Sequence, residues 1–380
     1  MNASASGHEE LLSRALDLAE QGRFAASPNP MVGAVLTQDG EIIGEGYHAR
    51  CGEPHAEINA LEGLGSAARD ATLYVTLEPC AHQGRTPPCT QSIIEAGIKR
   101  VVIATLDPNP RVSGRGVAQL KAAGIETQIL PTGTPIAARA TRLNEKFNHW
   151  VTTGRPWITL KLATSLDGRI ATATGASQWI TGEEARTQGH FLRATHDCVA
   201  VGSGTALTDD PSLTVRHLSP PPPFEQPARL LLDSTLQVPV ESRFFSPDAR
   251  RIVATAINDD DEQSTAIVNQ GAEVWRLPGP EGRVDLSQLM VRLGSDEKGP
   301  VSSVLVEGGG TLAAALIQAG LVQRLHIFMA PSLMGGDALA AIGSLGISEP
   351  SEAPSLMVEG IRPLGGDLEI IATFDDTREL

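Results

Sequence analysis

Pro54-His55-Ala56-Glu57, Pro79-Cys80 and Pro87-Pro88-Cys89 are the stretches on which the reading of this chain turns. One imidazole and two thiolates make a three-ligand set for zinc, and they leave the fourth tetrahedral position to water. Two thiolate charges balance a dication, which still brings the pKa of its water down toward ~7. Glu57 lies two residues past His55 and is placed to take the water's proton and hand it to a leaving amine. The local patterns agree. Leu73 to Leu77 is an apolar run that reads as a strand ending at Pro79-Cys80. Pro54 suits the start of a helix over residues 54–64. Cys89 opens Thr90 to Ala96, a helical pattern whose N-terminus favours a thiolate.

His-x-Glu followed by Pro-Cys and a second cysteine is the arrangement of zinc nucleobase deaminases. This chain departs from it in one respect. Residues 81 to 88 separate Cys80 from Cys89, where the pattern has two residues.

The 380 residues suffice for two or three domains, with 41% apolar and 20% charged residues. A net charge of −15 disfavours a polyanionic partner, so the expected substrate is a free small molecule and not nucleic acid. Four cysteines form no disulfide framework and suit a reducing cytoplasm. Met1 to Glu10 has no basic region followed by an apolar one, and no run is long enough for a membrane span.

Upstream of the zinc motif, Leu11 to Ala19 repeat at helical spacing, and Ser27-Pro28-Asn29-Pro30 precedes a strand over Met31 to Thr37. Asp39-Gly40 signals a hairpin returning through Glu41 to Tyr47. Downstream, strands are predicted at Val101 to Leu106 and Ile125 to Leu130, with helices over Val117 to Ala123 and Ala137 to His149. Alternating strands and helices imply an α/β/α unit over residues 1–150. Thr153 to Pro156 is the expected junction to a second α/β unit, 151–380. Its strands are predicted at Trp157 to Ala163, Asp197 to Gly202, Ala228 to Asp233, Arg251 to Thr255, Ala272 to Trp275 and Ser303 to Glu307. Helices are predicted over Gly182 to Thr195 and Leu312 to Ala319. Ser219 to Pro223, with four consecutive prolines, makes a stiff surface loop, and Asn258 to Glu262 a solvated acidic turn. Gly308-Gly309-Gly310-Thr311 joins a strand to a helix, an arrangement that suits phosphate or merely a tight turn. Taken alone, Trp179 reads as a core tryptophan and Asp209-Asp210-Pro211 as a turn.

As a set, these segments resemble the bifunctional deaminase–reductases of riboflavin biosynthesis. In the first half the likeness lies in His55-Ala56-Glu57, Val75 to Cys80, Gly84 to Cys89 and Asp107 to Pro110. In the second it lies in Lys161 to Arg169, Ser177 to Thr181, Asp209 to Arg216 and Val306 to Leu312. That family carries the longer cysteine spacing. The resemblance implies a cytidine-deaminase-like three-layer α/β/α domain followed by a dihydrofolate-reductase-like α/β domain. The implied enzyme is a zinc hydrolase and an NADPH-dependent oxidoreductase. It would deaminate 2,5-diamino-6-(5-phosphoribosylamino)pyrimidin-4-one, then reduce the ribosyl group of the product to ribityl. The implied metal ligands are His55, Cys80 and Cys89, with Glu57 as acid/base. Asn29, His48, Asp107 and Asn109 match the pocket of the deaminase. Ala163, Trp179, Thr205, Asp209, Ser234 and the run Gly309, Gly310, Thr311, Leu312, Ala313, Ala314 and Ala315 match dinucleotide positions. Ser177, Arg193, Leu213, Arg216 and Glu307 match substrate positions, and Lys161 orients the sugar or supplies a proton. The bland alternatives are turn chemistry for Asn29 and Asn109, packing for His48, surface pairing for Arg193 and Arg216, and snorkelling for Lys161. A homo-oligomer in the cytoplasm is expected.

Two competing readings are a nucleoside or tRNA-type deaminase with an unrelated C-terminal domain, and a scaffold whose zinc is structural. A structural zinc needs a fourth protein ligand, for which Cys51 and His82 are the candidates.

Overall fold

A computed structural model describes residues 5–81, 87–110, 112–218, 225–259 and 261–374. The chain divides into two compact units, Met1–Gly154 and Arg155–Leu380.

In the first unit Asp39 and Gly40 both take positive φ (52° and 89°), the turn whose twist suits a two-residue hairpin. It joins β1 (Gly33–Gln38) to β2 (Glu41–Tyr47). With β3 (Thr72–Val75), β4 (Arg100–Ile103) and β5 (Glu126–Ile129) they form a sheet ordered β2-β1-β3-β4-β5. β1 runs antiparallel to both neighbours, while β3, β4 and β5 are parallel. Period-two alternation sends Ala34, Leu36, Leu73, Val75, Val101 and Ile103 to one face. There they meet α2 (Ala56–Leu61), α3 (Cys89–Glu95) and α4 (Arg115–Ala122). Val35, Tyr74 and Val102 go to the other face, against Leu12 and Leu16 of α1 (Ala5–Ala19) and Ala137 and Ala140 of α5 (Pro135–Leu143). Two covered faces make the three-layer α/β/α domain. Each fully buried leucine here is worth about 2–5 kcal/mol against alanine.

Two predicted helices differ from the structure. The zinc helix starts at Ala56, with His55 as its N-cap, and ends at Leu61 before Gly63 at φ 75°. Pro54 therefore precedes the helix instead of opening it. The helix expected over 137–149 is two, α5 and α6 (Glu145–Thr153), broken at Asn144. Asn144 is drawn out of the helix because its amide clamps Met31. It accepts from Met31 N at 2.8 Å and donates to Met31 O at 2.9 Å.

In the second unit the central sheet contains β6 (Trp157–Ser165), β8 (Cys198–Gly202), β9 (Ala228–Leu232), β10 (Arg251–Thr255), β11 (Glu273–Arg276), β12 (Ser303–Glu307), β13 (Arg324–Ala330), β15 (Leu356–Leu364) and β16 (Asp367–Phe374). Among the described residues β7 (Arg169–Ala171) pairs only with β14 (Leu339–Ala340). The large sheet is ordered β11-β10-β9-β8-β12-β6-β13-β16-β15, parallel through β13, with the last two strands antiparallel. α7 (Glu183–Ala194), α8 (Ser203–Asp209), α9 (Glu262–Asn269), α10 (Leu286–Gly294) and α11 (Gly310–Gln318) connect the strands. Apolar clusters cover both faces: Leu160, Ala200 and Val306 lie under α10 and α11, and Val199, Leu231 and Val253 against Phe244 and Ile267. The segment after Ala319, for which no strand is predicted, supplies β13, β15 and β16. The acidic turn has a structural use, since Asp261 Oδ1 caps α9 by accepting from Ser264 N at 2.6 Å. Asp260 and Pro220 to Pro223 lie outside the described residues.

Candidate active sites

β3 and the starts of α2 and α3 converge on the first site. One ligand atom from each of His55, Cys80 and Cys89 lies within 4.8 Å of the others. His55 Nδ1 is 3.1 Å from Cys89 Sγ and 3.6 Å from Cys80 Sγ. Tetrahedral zinc, with bonds of about 2.0–2.3 Å, holds nitrogen and sulfur ligands about 3.5 Å apart, so the donor set fits the metal. Sulfurs this close resist double ionisation unless a cation lies between them. A hydrogen bond from Cys89 brings Cys80 down to about 4, and the same bond with burial pushes Cys89 well up. The Cys89 amide also donates to Cys80 Sγ at 3.3 Å, so the start of α3 itself favours the thiolate. Among the described residues Cys51 is not part of this cluster, and His82 and Gly84 to Thr86 lie outside them.

Glu57 stands in the first turn of α2 and is 3% exposed. Burial, reinforced by the charge on Cys80, raises its carboxyl to about 7, before any cation's field is counted. A group poised there can both accept and return a proton at neutral pH. α2 reaches this position because β2 carries glycine beneath it. A Cβ on Gly46 would lie 2.5 Å from Ala56 O and 2.8 Å from Asn59 C.

His48 is buried against the His55 ring, edge-on at 5.2 Å. Its Nδ1 donates to Pro54 O at 3.2 Å, so Nε2 is the acceptor for Asn29 Nδ2 at 3.1 Å. This chain of bonds ties Asn29 to the metal helix. Asp107 Oδ1 accepts from Asn109 N at 2.8 Å. Sequence reading overlooked Glu78, a buried carboxylate two residues before Cys80. It accepts from Asp107 N (3.3 Å), Gly114 N (2.9 Å) and Val117 N (3.1 Å), joining the Cys80 arm to the Asp107 loop and the first turn of α4. A charged residue at the end of an apolar strand was the available signal.

The second site is a cleft of about 1020 Å³ at the C-terminal ends of β6, β8, β9 and β12, the usual place for ligands in such sheets. It is lined by Lys161, Ala163, Ser177, Arg193, Thr205, Asp209, Leu213, Ser234, Glu307, Gly309, Gly310, Thr311, Leu312 and Ala315. Gln237, Arg283, Leu339 and Gly343 join them without any local signal in the sequence. Four residues do not line the cleft. Ala313 and Ala314 point into the core at 0% and 4% exposure. Arg216 is exposed and bonds Ser212 and Thr214 hydroxyls. Trp179 is no core residue: it is 73% exposed and stacks on the Arg186 guanidinium at 4.5 Å.

At the cleft floor Arg193 makes a two-pronged pair with Glu307, at 2.5 and 2.9 Å. Their side chains are only 14% and 12% exposed, which overturns a surface-pairing role for Arg193. Burial opposes ionisation of Glu307, but Arg193 and Lys161 outweigh it and hold the carboxyl at about 2. Lys161 Nζ lies 3.9 Å from Glu307 and 5.5 Å from the Phe328 ring centre. Burial lowers its pKa against the pull of Glu307, and Arg193 adds to the lowering. Above them Gly308 takes φ 103°, with the Thr205 side chain packed where a Cβ would go. The Gly309 amide donates to Thr205 Oγ1 at 3.1 Å, so the turn spends one of its amides on the protein. The open end of α11 begins with the next residue, Gly310, and Thr311 is exposed beside it.

Residues 156–370 match the RibD C-terminal domain family, and residues 5–105 match the cytidine and deoxycytidylate deaminase zinc-binding region. The riboflavin biosynthesis protein RibD of Escherichia coli (strain K12) is 42% identical over 369 residues, 95% of this chain and 97% of its own. That of Aquifex aeolicus is 42% identical over 94% of this chain and 95% of its own. The chain belongs to the RibD family. Acinetobacter baumannii RibD superposes with a TM-score of 0.89 at 34% identity, covering 98% of this chain and 100% of its own. A deaminase/reductase of Thermotoga maritima superposes with a TM-score of 0.83 at 34% identity, covering 97% and 99%. This RibD homologue is therefore a bifunctional deaminase and reductase of riboflavin biosynthesis, a cytidine-deaminase-like domain followed by a dihydrofolate-reductase-like one. Its cofactors are zinc and NADPH. The match over 156–370 removes the alternative of an unrelated C-terminal domain. No helix among the described residues is long and apolar enough to cross a membrane.

Proposed function

We propose that the first unit, spanning residues 1–150, replaces the 2-amino group of 2,5-diamino-6-(5-phosphoribosylamino)pyrimidin-4-one with oxygen. The second, 151–380, then reduces the ribosyl group of 5-amino-6-(5-phosphoribosylamino)uracil to ribityl. The observation that carries the reading is the buried Glu57 beside three converging metal ligands. Zinc held by His55, Cys80 and Cys89 supplies Lewis-acid activation of a water at its open position. Glu57 would take the attacking water's proton and pass it to a ring nitrogen, then take the proton of the hydroxyl added to the ring carbon and give it to the amino group, which leaves as ammonia. His48 and Asn29, locked by their shared bond, form one wall of the ring pocket, and Asp107 and Asn109 another.

In the second unit NADPH supplies the hydride, so the residues' task is positioning. Ala163, Thr205, Asp209, Ser234 and the Gly309 to Ala315 segment hold the dinucleotide, with Trp179 at the mouth and Ala313 and Ala314 reachable only through main chain. Ser177, Arg193, Leu213, Arg216 and Glu307 hold the sugar phosphate. Lys161, half-buried between Glu307 and Phe328, orients the sugar and protonates the ring oxygen released when the ribose opens. We further propose a homo-oligomer in the cytoplasm. Four free thiols support a reducing compartment. β15, an edge strand exposing Met357, Val358 and Ile361, supports self-association.

The test is incubation with the diaminopyrimidinone phosphate, with and without NADPH, following products by mass. Exchange of one amino group for oxygen without NADPH, and a gain of two hydrogens with it, are expected. Unchanged starting material in zinc-loaded protein would reject the substrate.

A further inference from the structure

Residues 211–218 lie beside the reductase cleft, which Pro211 and Leu213 line. The segment has no regular structure, and among the described residues no main-chain to main-chain hydrogen bond reaches it. Two of its residues nevertheless hold a left-handed backbone that non-glycine residues adopt rarely: Leu213 at φ 53° and His217 at φ 60°. Asp210, just before it, is at φ 39°. Side chains from outside the segment supply what the main chain does not. Arg193 Nη1 donates to Thr214 O at 2.9 Å. Gln226 grips Val215 at both ends, accepting from its N–H at 2.7 Å and donating to its carbonyl at 3.2 Å. His190, one turn before Arg193 on α7, accepts the Arg216 N–H on Nδ1 at 3.1 Å. Asp210 is anchored in turn by Ser242 Oγ and Arg243 N, each at 2.7 Å.

His190 is 8% exposed, and nothing in the catalytic reading uses it. Accepting an amide proton on Nδ1 requires the neutral ring with its own proton on Nε2. Burial, with the charges of Arg193, Arg216 and His217, lowers its pKa to about 4, so the ring stays an acceptor at neutral pH. Its outer side packs edge-on against His217 at 5.1 Å, which holds the ring in place.

We propose that His190 and Gln226 are positioning residues for substrate, holding residues 214–216 by their main chain so that Leu213 and Arg216 are presented to the phosphoribosyl group before it arrives. The proposal rests on the substrate reading of Leu213 and Arg216 given above. A segment held this way loses little freedom when ligand binds, and that saving appears as affinity. The dinucleotide residues lie on other elements, so the effect belongs to one ligand only.

The test uses the full-length, zinc-loaded protein with His190→Leu, His190→Asn, Gln226→Leu and Arg216→Ala. Asparagine keeps an acceptor at the δ position; leucine does not. Michaelis constants for the aminouracil phosphate, kcat for its reduction, the NADPH dissociation constant by fluorescence and amide exchange of residues 211–218 are measured together. Loss of the one His190 bond in His190→Leu, or of the two Gln226 bonds in Gln226→Leu, is expected to raise KM at least about five- to tenfold. Amide exchange should rise in both, NADPH affinity should stay within about twofold, and His190→Asn should recover most of the loss. Faster exchange without a change in KM, while Arg216→Ala still raises KM, would overturn the positioning role alone. An unchanged KM in Arg216→Ala would instead overturn the substrate reading of this segment, and the proposal with it. Should His190→Leu fold poorly, the Gln226→Leu comparison decides by the same criteria.

Discussion

Replacing Glu57 by glutamine removes one proton carrier while changing almost nothing else. The side chain is 3% exposed and enclosed by α2 and the two cysteines, so an isosteric amide leaves no cavity. Neither carboxylate oxygen belongs to the ligand triad, so zinc content should stay at about one per chain, on the three-ligand rule. What disappears is the buried carboxyl beside the ligand triad that accepts a proton from water and returns one to the leaving amino group. General acid–base catalysis of this kind contributes roughly 10²–10⁴ in rate, or about 3–5 kcal/mol of barrier. Deamination, followed as ammonia release, should fall by that factor. Reduction of supplied aminouracil phosphate, followed as NADPH consumption, should hold within about twofold, because no atom of the second cleft is touched. Near wild-type ammonia release by zinc-loaded Glu57→Gln would refute the assignment and require another group to move the proton. Parallel loss of both activities would refute the independence of the two sites.

Three further outcomes follow from the geometry. Thr311→Val keeps the branched shape at the open end of α11 and deletes one hydroxyl; NADPH binding should weaken by about 1.5–3 kcal/mol with no change in melting temperature, and unchanged affinity would leave the glycine turn as scaffold. Gly46→Ala forces a methyl against the main chain of α2; a loss of about 1–3 kcal/mol in urea unfolding and easier removal of zinc by a chelator are expected, whereas wild-type zinc retention would mean the helix can move aside. Glu307, ordinarily near 4.5, is held at about 2 in the fold, so the ionised carboxylate stabilises the second unit above pH 4.5 and that stability drains away as pH falls through about 2. The shift corresponds to about 3 kcal/mol, so Glu307→Gln should be less stable at pH 7 by that order and should flatten the acid limb of a pH–stability curve; an acid limb identical to wild type would count against the Arg193–Glu307 pair as its source.

His-x-Glu, two proline-flanked cysteines and the strand and helix patterns around them were enough to read the zinc chemistry and the alternation of an α/β/α layer. These are local properties: ligand types and short spacings dictate donor atoms, and a period of two or 3.6 residues dictates which face is buried. Asp39-Gly40 likewise determined its hairpin, because a tight turn is decided by the φ its own residues tolerate. Tertiary structure decided the rest. Asn144 broke a helix that its neighbours would have continued, because its amide answered Met31 from far along the chain. Trp179 looked like core by composition and faces solvent, because burial depends on what packs opposite a side chain and not on its own apolarity. β13, β15 and β16 fill the sheet's far side only through pairing with β6 and with one another. Arg193, Lys161 and Glu307 are scattered along the chain yet share one buried charge network, and their pKa values exist only once the sheet has set their separations. Residues 211–218 carry no helix or strand period, since their backbone is held by side chains whose proximity only the fold creates.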